Sequence, residues 1–511
     1  MTREQILMLV SIVVYLLMIL YVGIRLSKKN NTVDDFYLGG RKLGPIVTAM
    51  SAEASDMSSY LLMGVPGVAY LSGCADAGWT AIGLAIGTYV NWLIVAKRLR
   101  DYSKHCQNSI TIPDFFSNRY RDNKNILLGI SALIIVIFFI PYTGSGFAAC
   151  GKLFSSLFGI NYHTAMIISA LIIIAYTCLG GFLAASTTDL IQSIIMTIAL
   201  LIVLGFGINV AGGFDAVIDN AKSLPGYFSM NSIFNSETGT ESSYGIIKIV
   251  STLAWGLGYF GMPHILLRFM AIEDSSKIKT SRRIASVWVV ISLGIAVFIG
   301  IVGLAMSNAG KVEALEGSQA ETIIVKISSL LSTYGVIPAL IAGVILAGIM
   351  ASTMSTSDSQ LLAASSSVSQ NILPKVFKVK ISEKASMIVA RMTLVVIALI
   401  GIIIAWDPDS SVFGIVSFAW AGFGATFGPV MLFALFWKRS NKWGALSGMI
   451  VGGVMVFVWK YAVKPLGGVW DIYELLPAFI CASIAILVVS LLTKAPEKEI
   501  TDEFEKVAAM K

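Results

Sequence analysis

An acidic side chain lies among small hydroxyls and helix breakers in an otherwise apolar stretch of the chain. Asp56 lies between Ser55 and Ser58, with Met57 directly after it, and stands ten residues before Pro66. A charge at the centre of a bilayer costs from ~2.5 to more than ~10 kcal/mol, so it is kept where it faces a water-filled cavity, a partner or an ion. Unwound backbone at membrane depth is likewise tolerated only where it lines a cavity or lies inside protein. The segment is therefore typical of an ion site inside a membrane.

A second cluster of hydroxyls lies in residues 347–360. Ser352, Ser355, Thr356 and Ser359 recur at spacings of three and four, which places them on one helix face. By analogy with calcium and magnesium, sodium is a hard cation that prefers oxygen ligands. A hydroxyl face and the free carbonyls of a broken helix can together form a sodium site. The alternative is that these hydroxyls bond to their own helix backbone or join helices.

Aromatic residues accompany the helix breakers. They are Tyr60, Tyr142 in the segment 140–146, and Trp255 with Tyr259, which are four residues apart. Such rings suit the apolar body of a small substrate and can close over it. Each one is also compatible with ordinary packing.

The polar residues also allow an enzymatic interpretation. Ser145 with His264 would imitate a serine-protease dyad, and Asp56 with Asp358 an aspartyl pair. Neither pair has the local motif of such an enzyme, and neither explains why helix breakers occur at two places. We therefore do not expect the protein to be an enzyme.

Composition identifies the elements that hold these residues. Of 511 residues, 56% are hydrophobic and 13% charged, and the mean hydropathy is +0.79, which is typical of a polytopic membrane protein. Apolar runs of about 20 residues, each long enough to cross a bilayer as a helix, predict about thirteen spans. They are 6–26, 46–70, 75–97, 125–150, 162–180, 188–211, 246–270, 284–307, 334–370, 386–405, 412–436, 443–463 and 475–493.

Charge predicts the orientation. An odd number of spans puts the termini on opposite sides, and the basic residues fall in alternate loops, which are cytoplasmic by the positive-inside rule. The N-terminus is then outside and the tail inside; the basic residues used are Arg25, Lys28, Lys29, Arg41, Lys42, Lys97, Arg98, Arg100, Lys104, Arg119, Arg121, Lys124, Lys277, Lys279, Arg282, Arg283, Lys375, Lys378, Lys380, Lys384, Lys438, Arg439 and Lys442. Topology and contact with anionic membrane lipid account for the net charge of +7, so no nucleic-acid partner is expected. The five cysteines and three histidines show no disulfide or metal spacing.

Two spans are broken at matching places. The breaks fall in the first span of each of two predicted repeats, 46–212 and 246–437, and the second break is the Gly/Pro-rich segment 253–264. The remaining regions are 1–45, 438–493 and the tail 494–511. An odd number of spans per repeat gives the repeats opposite topology, and paired broken spans in such repeats point to a transporter's binding site. The alternative is that Gly and Pro are simply common in membrane helices. The connectors around 213–242 and 308–333 are expected to be mainly solvated.

Several long strings resemble the sodium/solute symporter family, and the resemblance runs from the first span to about residue 495. It is closest to the family's proline-carrying members. The matching strings are 39–45 (GGRKLGP), 54–58 (ASDMS), 61–64 (LLMG), 254–261 (AWGLGYFG), 263–266 (PHIL), 268–270 (RFM) and 354–356 (MST).

The resemblance implies an all-α LeuT-type fold of five-plus-five inverted repeats, with one extra span before and two after. It implies sodium-coupled uptake of L-proline, with Na+ as the coupling ion, by alternating access. The implied sodium ligands are the carbonyls of Ala54, Met57 and Ser352 and the hydroxyls of Ser355 and Thr356. Asp56 and Ser58 would couple ion to substrate, and Arg41 would belong to the inner gate region. Proline would lie among Tyr60, Tyr142, Trp255, Tyr259 and Pro263.

Four residues depart from the pattern of the proline-carrying members: Glu53, Ser59, Tyr60 and Met262. The first three crowd the ion and substrate region, so another amino acid, pantothenate or another carboxylate stays open as the solute. Asp358 is an additional acid. We expect its side chain to be hydrated in an inner vestibule. The alternative is that Asp358 and Glu53 together bind a proton or a second cation. A sensor or a channel is the alternative outside this class, but a sensor would carry a signalling domain and a channel needs no paired breaks.

Overall fold

The structure is a computed structural model that describes residues 1–27, 33–236, 238–380 and 382–510. Lys28 and Lys29 of the predicted basic loop lie outside these residues, as does the side chain of Lys384. The helices are α1 (Arg3–Ser27), α2 (Val33–Leu38), α3 (Pro45–Asp56), α4 (Val65–Ser72), α5 (Cys74–Val90), α6 (Ala96–His105), α7 (Ile112–Arg119), α8 (Ile126–Phe158), α9 (Tyr162–Gly180), α10 (Phe182–Val210), α11 (Phe214–Ser223), α12 (Ile246–Leu253), α13 (Pro263–Ala271), α14 (Ile278–Asn308), α15 (Ile323–Ser332), α16 (Val336–Ser366), α17 (Glu383–Ile404), α18 (Val412–Phe436), α19 (Lys442–Val458), α20 (Leu475–Leu492) and α21 (Lys498–Ala508). The strands β1 (Ser232–Asn235) and β2 (Thr240–Ser243) form an antiparallel hairpin.

The predicted all-α membrane class is confirmed. Within the described residues, 10 helices are long and apolar enough to cross a membrane. Three shorter apolar helices, Tyr60–Ser72, Tyr162–Cys178 and Ile246–Phe260, fall in the predicted spans 46–70, 162–180 and 246–270. These three are short because two belong to broken spans and the third ends beside Gly181, whose backbone has a φ of +86°.

Both predicted breaks are present. The first separates α3 from α4 through a π-helical turn, Tyr60–Gly64, and the second separates α12 from α13 through a 3-10 turn, Ala254–Phe260. The second turn packs tightly, because a Cβ at Gly258 would lie 1.9 Å from the indole nitrogen of Trp420. Glycine is therefore required for α18 to approach this break.

Each of the two connectors, predicted to be solvated over most of its length, makes a buried contact with the helical bundle. Tyr227 is fully buried and donates a hydrogen bond of 2.7 Å to the carbonyl of Ala69. Glu321 is buried, pairs with Lys152 at 2.8 Å and accepts the amides of Val412 and Phe413 at 3.0 Å each. Both connectors thus pack onto the bundle, since they satisfy backbone groups at helix ends that lipid could not satisfy.

The charged tail folds as α21 and lies beside two of the basic loops. Glu499 and Glu503 pair with Arg121, and Glu505 pairs with Lys438. Phe504 is buried, and the guanidinium carbon of Arg98 lies 5.0 Å from the centre of its ring. The tail and these loops therefore occupy one end of the bundle.

Candidate functional site

The first break frees two backbone carbonyls. In a continuous helix the amide of Ser58 would bond to Ala54, but here it donates to the carbonyl of Asp56 at 2.7 Å. The amide of Leu61 would bond to Met57, but it donates to Ser58 at 3.0 Å. The carbonyls of Ala54 and Met57, both predicted as sodium ligands, are thereby released from regular helical bonding.

The hydroxyl face of α16 reaches one of these carbonyls. The Oγ of Ser355 donates to the carbonyl of Ala54 at 2.7 Å and lies 3.3 Å from the carbonyl of Ser352. The Oγ1 of Thr356 lies 3.1 Å from that same carbonyl. Of the predicted ligand groups, the Ser355 hydroxyl and the Ala54 carbonyl meet across α3 and α16. The contacts of Ser355 and Thr356 with the Ser352 carbonyl lie within α16 itself.

The alternative interpretation holds for part of this face. The hydroxyl of Ser352 donates to Ile349 of its own helix at 2.8 Å, and the hydroxyl of Ser359 donates to Ser355 at 2.9 Å. Of the four periodic hydroxyls, Ser355 and Ser359 make contacts on other helices, the latter with Ser55 at 3.1 Å.

The Ser355 hydroxyl oxygen and the Ala54 carbonyl oxygen could hold a hard cation between them only if they moved slightly apart. Ligand oxygens lie ~2.3–2.6 Å from a cation such as calcium, so neighbouring oxygens at right angles lie roughly 3.3–3.7 Å apart. The oxygens of Ser355 and Ala54 are 2.7 Å apart, because a hydroxyl proton lies between them. An ion would therefore replace that proton as the bridge and widen the contact between α3 and α16.

Asp56 lies at the centre of the polar groups around the break. Its carboxylate is fully buried, and Oδ2 accepts a hydrogen bond from the hydroxyl of Tyr259. The hydroxyl of Tyr142 lies 3.5 Å from the Asp56 carbonyl, and the hydroxyl of Tyr60 donates to the sulfur of Met57 at 3.2 Å. Three of the predicted substrate residues thus converge on residues 56–57. Ser58 faces inward there, with its Oγ 3.4 Å from the amide of Tyr60.

Trp255 belongs to the second break and lies on the far side of Tyr60 from Met57. Its ring stands between Tyr60, at a centroid distance of 6.4 Å, and Tyr473, on which it stacks at 5.0 Å. Trp255, Phe413 and Tyr473 line a cavity of ≈ 250 Å³ at this end of the bundle. We refer to this as the Tyr473 end. Phe413, Trp420 and Tyr473 were not among the predicted residues, because only tertiary packing brings α18 and the segment before α20 over the second break.

Pro263 is the first residue of α13 and is buried. The ring of the next residue, His264, lies 6.3 Å from the ring of Tyr142. The start of α13 therefore lies near the tyrosines at the first break. Pro263 suits the first position of a helix, because it has no amide hydrogen to leave unpaired there.

A buried ion pair supports the site and was missed from the sequence. Arg268 pairs with Asp189 at 3.2 Å, and both side chains are at most 1% exposed. Arg268 also donates to Ser51 at 3.0 Å, and Ser51 donates to Asp189 at 2.7 Å. The pair joins α3, α10 and α13 one turn before the freed carbonyls. The sequence did contain a signal for this pair. Arg268 and Asp189 both lie inside predicted spans, where a charged residue is rarely found without a partner.

The expectation that Asp358 is a hydrated acid is wrong. Its side chain is 1% exposed, and Oδ1 accepts a hydrogen bond from Ser359 at 3.1 Å. Packing of α16 against α9 and α10 encloses it beside Tyr176 and Ala185. It therefore faces protein and not a water-filled vestibule.

Arg41 closes the opposite end of the bundle, which we call the Arg41 end. Its guanidinium donates to the carbonyls of Met270 at 2.6 Å and Ser109 at 2.7 Å, and to the hydroxyl of Ser103 at 3.1 Å. Beside it, the amide of Leu43 donates to Ala271 at 3.2 Å. These bonds hold the segment before α3 against the end of α13, where a gate was predicted.

The dyad considered in the enzymatic interpretation is not formed. Ser145 donates to the carbonyl of Tyr142 at 2.6 Å. Within the described residues, neither ring nitrogen of His264 has a hydrogen-bond partner. A serine nucleophile without a base in hydrogen-bond reach has no means of activation.

The two broken spans meet where the Tyr259 hydroxyl donates to the Asp56 carboxylate, and paired broken spans inside a helical bundle are the arrangement of a secondary transporter. A solved structure of a Na+-coupled sialic acid symporter, described as substrate-bound and outward-open, aligns with a TM-score of 0.78 at 18% identity, and the match covers 96% of this chain and 99% of that one. The chain thus has the LeuT-type transporter fold predicted for it.

The family follows from the sequence comparisons. The profile described as "Sodium:solute symporter family" matches residues 36–452. The "High-affinity proline transporter PutP" of Bacillus subtilis strain 168 is 40% identical over 486 residues, covering 95% of this chain and 98% of its own. The "Sodium/proline symporter" of Salmonella typhimurium strain LT2 is 41% identical over 505 residues, covering 98% and 96%. The chain belongs to the sodium:solute symporter family.

Proposed function

We propose that this protein imports L-proline together with sodium by alternating access. The observation that carries the proposal is the contact of 2.7 Å between Ser355 and the freed carbonyl of Ala54. Relatives named as proline transporters, about 40% identical over nearly the whole chain, support proline as the solute. Aromatic rings around a small buried site suit a compact amino acid with an apolar ring.

Sodium binds between α3 and α16. Its ligands are the carbonyls of Ala54, Met57 and Ser352 and the hydroxyls of Ser355 and Thr356. The hydroxyl of Ser355 turns its proton away from Ala54 and offers a lone pair to the ion, since a hydroxyl has one donor and two acceptor positions. The ion thus replaces a hydrogen bond between the two helices and fixes their separation.

The break couples this ion to the substrate. Residues 56–57, which adjoin the ion ligand Ala54, also contact Tyr60, Tyr142 and Tyr259. A change in the spacing of α3 and α16 therefore moves the walls of the substrate pocket. The coupling is mutual: if sodium tightens proline binding, proline tightens sodium binding by the same factor. Asp56 holds this junction through Tyr259 and is not itself a sodium ligand.

Alternating access needs a gate at each end. Trp255 with Phe413 and Tyr473 forms the gate at the Tyr473 end, and Arg41 with the end of α13 forms the gate at the Arg41 end. The Arg41 end carries the basic loops and α21, so it is the cytoplasmic end by the positive-inside rule. The N-terminus is then outside and the tail inside, and the repeats 46–212 and 246–437 move against each other.

One sodium ion supplies enough driving force. Moving one charge through 100 mV yields ~2.3 kcal/mol. A tenfold sodium gradient adds ~1.4 kcal/mol. The sum of ~3.7 kcal/mol supports accumulation of roughly several hundred-fold.

Uptake of labelled proline into proteoliposomes tests this function. With sodium outside and potassium inside, we expect accumulation that collapses when sodium replaces potassium inside. Counterflow without a sodium gradient reports binding and exchange by themselves, and unlabelled pantothenate and other amino acids serve as competitors. Sodium-driven uptake of another solute, with no counterflow of proline, would refute proline as the substrate and identify that other solute instead.

A further inference from the structure

A cavity of ≈ 240 Å³ lies at the Arg41 end, between the start of α19 and the segment 493–497 that joins α20 to α21. Lys442 and Trp443 line it from α19, Lys494 and Glu497 from the segment 493–497, and Arg121 from the loop before α8. Glu497 is exposed, so water weakens the effect of its charge on the cavity. The volume corresponds to roughly eight water molecules at ~30 Å³ each, which is space for a phosphate group and the carbon atoms next to it.

Two lysines of this cavity carry charges that no carboxylate neutralises. Arg121 forms ion pairs with Glu499 and Glu503 of α21, so its charge is already matched. Among the residues that the structure describes, Lys442 and Lys494 line the cavity without an ion pair. The cavity therefore favours an anion, and lysine is a common ligand of phosphate groups, to which it contributes a compact positive charge.

Hydrogen bonds hold the two lysine-bearing segments together. The side-chain amide of Asn441 donates to the carbonyl of Lys494 at 2.9 Å and to the hydroxyl of Thr493 at 2.8 Å. Arg439 donates to the carbonyl of Thr493 at 2.8 Å. Because these bonds join the start of α19 to the end of α20, Lys442 and Lys494 face one cavity before any ligand binds. A site prepared in this way loses less conformational freedom on binding.

The outer faces of α19 and α20 are apolar and lead to this cavity. Both helices lie within segments long and apolar enough to cross a membrane. Large apolar side chains are exposed at spacings of three, four and seven, which place them on one face of each helix: Trp443, Ile450 and Val454 on α19, and Ile484, Leu487 and Leu491 on α20. Such faces suit acyl chains, and a half-exposed indole at their end is typical of the headgroup level of a bilayer.

We propose that this cavity binds the headgroup of an anionic phospholipid, with its phosphate on the ammonium groups of Lys442 and Lys494 and its acyl chains along the exposed faces of α19 and α20. Basic pockets at the cytoplasmic ends of membrane helices are typical sites for such headgroups. A soluble phosphate would use the same lysines, but it would leave the apolar faces beside the cavity without a role. The proposal does not depend on which solute the protein carries.

Native mass spectrometry of the purified full-length protein measures this binding. The protein in detergent is titrated with phosphatidylglycerol and with phosphatidylcholine of identical acyl chains, and the Kd of the first bound lipid is determined for each. We expect tighter binding of phosphatidylglycerol. Since a lysine near a membrane surface contributes about 5-fold in affinity for anionic lipid, Lys442→Gln and Lys494→Gln should each raise this Kd about 5-fold and the double variant roughly 25-fold. The Kd for phosphatidylcholine should not change, which also reports that the variants keep their fold.

The matched control is Lys279→Gln, which removes the same charge from an exposed position near the start of α14. That helix start lies at the Arg41 end, since Ser281 donates to the carbonyl of Pro45 at 2.8 Å. The control should bind phosphatidylglycerol as the wild type does, and an equal loss there would show general attraction in place of a site.

Glycerol phosphate, the headgroup without acyl chains, distinguishes the lipid from a soluble phosphate. We expect it to bind far more weakly than phosphatidylglycerol. Equally tight binding of glycerol phosphate would overturn the lipid as the ligand. Equal affinity of the wild type for the two lipids, or an unchanged Kd for phosphatidylglycerol in the double variant, would overturn the site.

Discussion

Replacing Ser355 with alanine probes the contact on which the sodium site depends. The hydroxyl donates to Ala54 at 2.7 Å in the structure, and in our proposal it becomes a sodium ligand when the ion binds. An interaction of a hydroxyl with a charged group contributes ~1.5–3 kcal/mol. Because 1.4 kcal/mol is tenfold in an equilibrium constant, Ser355→Ala should raise the sodium concentration for half-maximal proline uptake by about 10- to 150-fold.

The assay separates sodium from substrate. Initial rates of proline uptake are measured against sodium at fixed proline, and then against proline at saturating sodium, where the variant should approach the wild-type half-saturation. Ser366→Ala is the matched control, because that hydroxyl lies on the same helix and donates to Ala363 of its own turn at 2.8 Å. An unchanged sodium requirement in Ser355→Ala, with protein folded as in the control, would refute the assignment of this contact as the ion site.

Three further changes test the surroundings of the site. Asp56→Asn removes a charge near the ion and should raise the sodium requirement by about 10- to 100-fold while membrane insertion is retained; normal sodium dependence of uptake would argue against its role. Asp189→Asn leaves Arg268 buried without a carboxylate and should lower stability by ~3–5 kcal/mol, seen as a reduced Tm in detergent; an unchanged Tm would show that the pair contributes little. Arg41→Ala breaks the bonds that close its end of the bundle and should accelerate maleimide labelling of buried Cys106 by about 5-fold; equal labelling rates would place the gate elsewhere.

Hydropathy predicted the helices well, because a chain in lipid must satisfy its backbone within each helix. The clustered glycines and prolines located both breaks, because such clusters weaken regular helical hydrogen bonding. The sequence did not predict the buried contacts that the two connectors make. Glu321 caps the start of α18 and Tyr227 caps the end of α4, and such pairings depend on which helix end a loop reaches in space.

Periodicity placed Ser352, Ser355, Thr356 and Ser359 on one face but could not say which hydroxyl crosses to another helix. That depends on the distance between α3 and α16, which packing decides. The Arg268–Asp189 pair was missed for the same reason, since the residues are 79 positions apart and only the folded bundle joins them. Asp358 was misjudged because its depth depends on α9 and α10 and not on its own helix.

Paired binding measurements test the central claim most directly. Binding of labelled proline to the purified protein is titrated at several sodium concentrations, and binding of labelled sodium is titrated at several proline concentrations. We predict that each ligand tightens the other by the same factor, and that Ser355→Ala shifts the sodium curve as it shifts uptake. Proline binding that does not change with sodium would contradict the account.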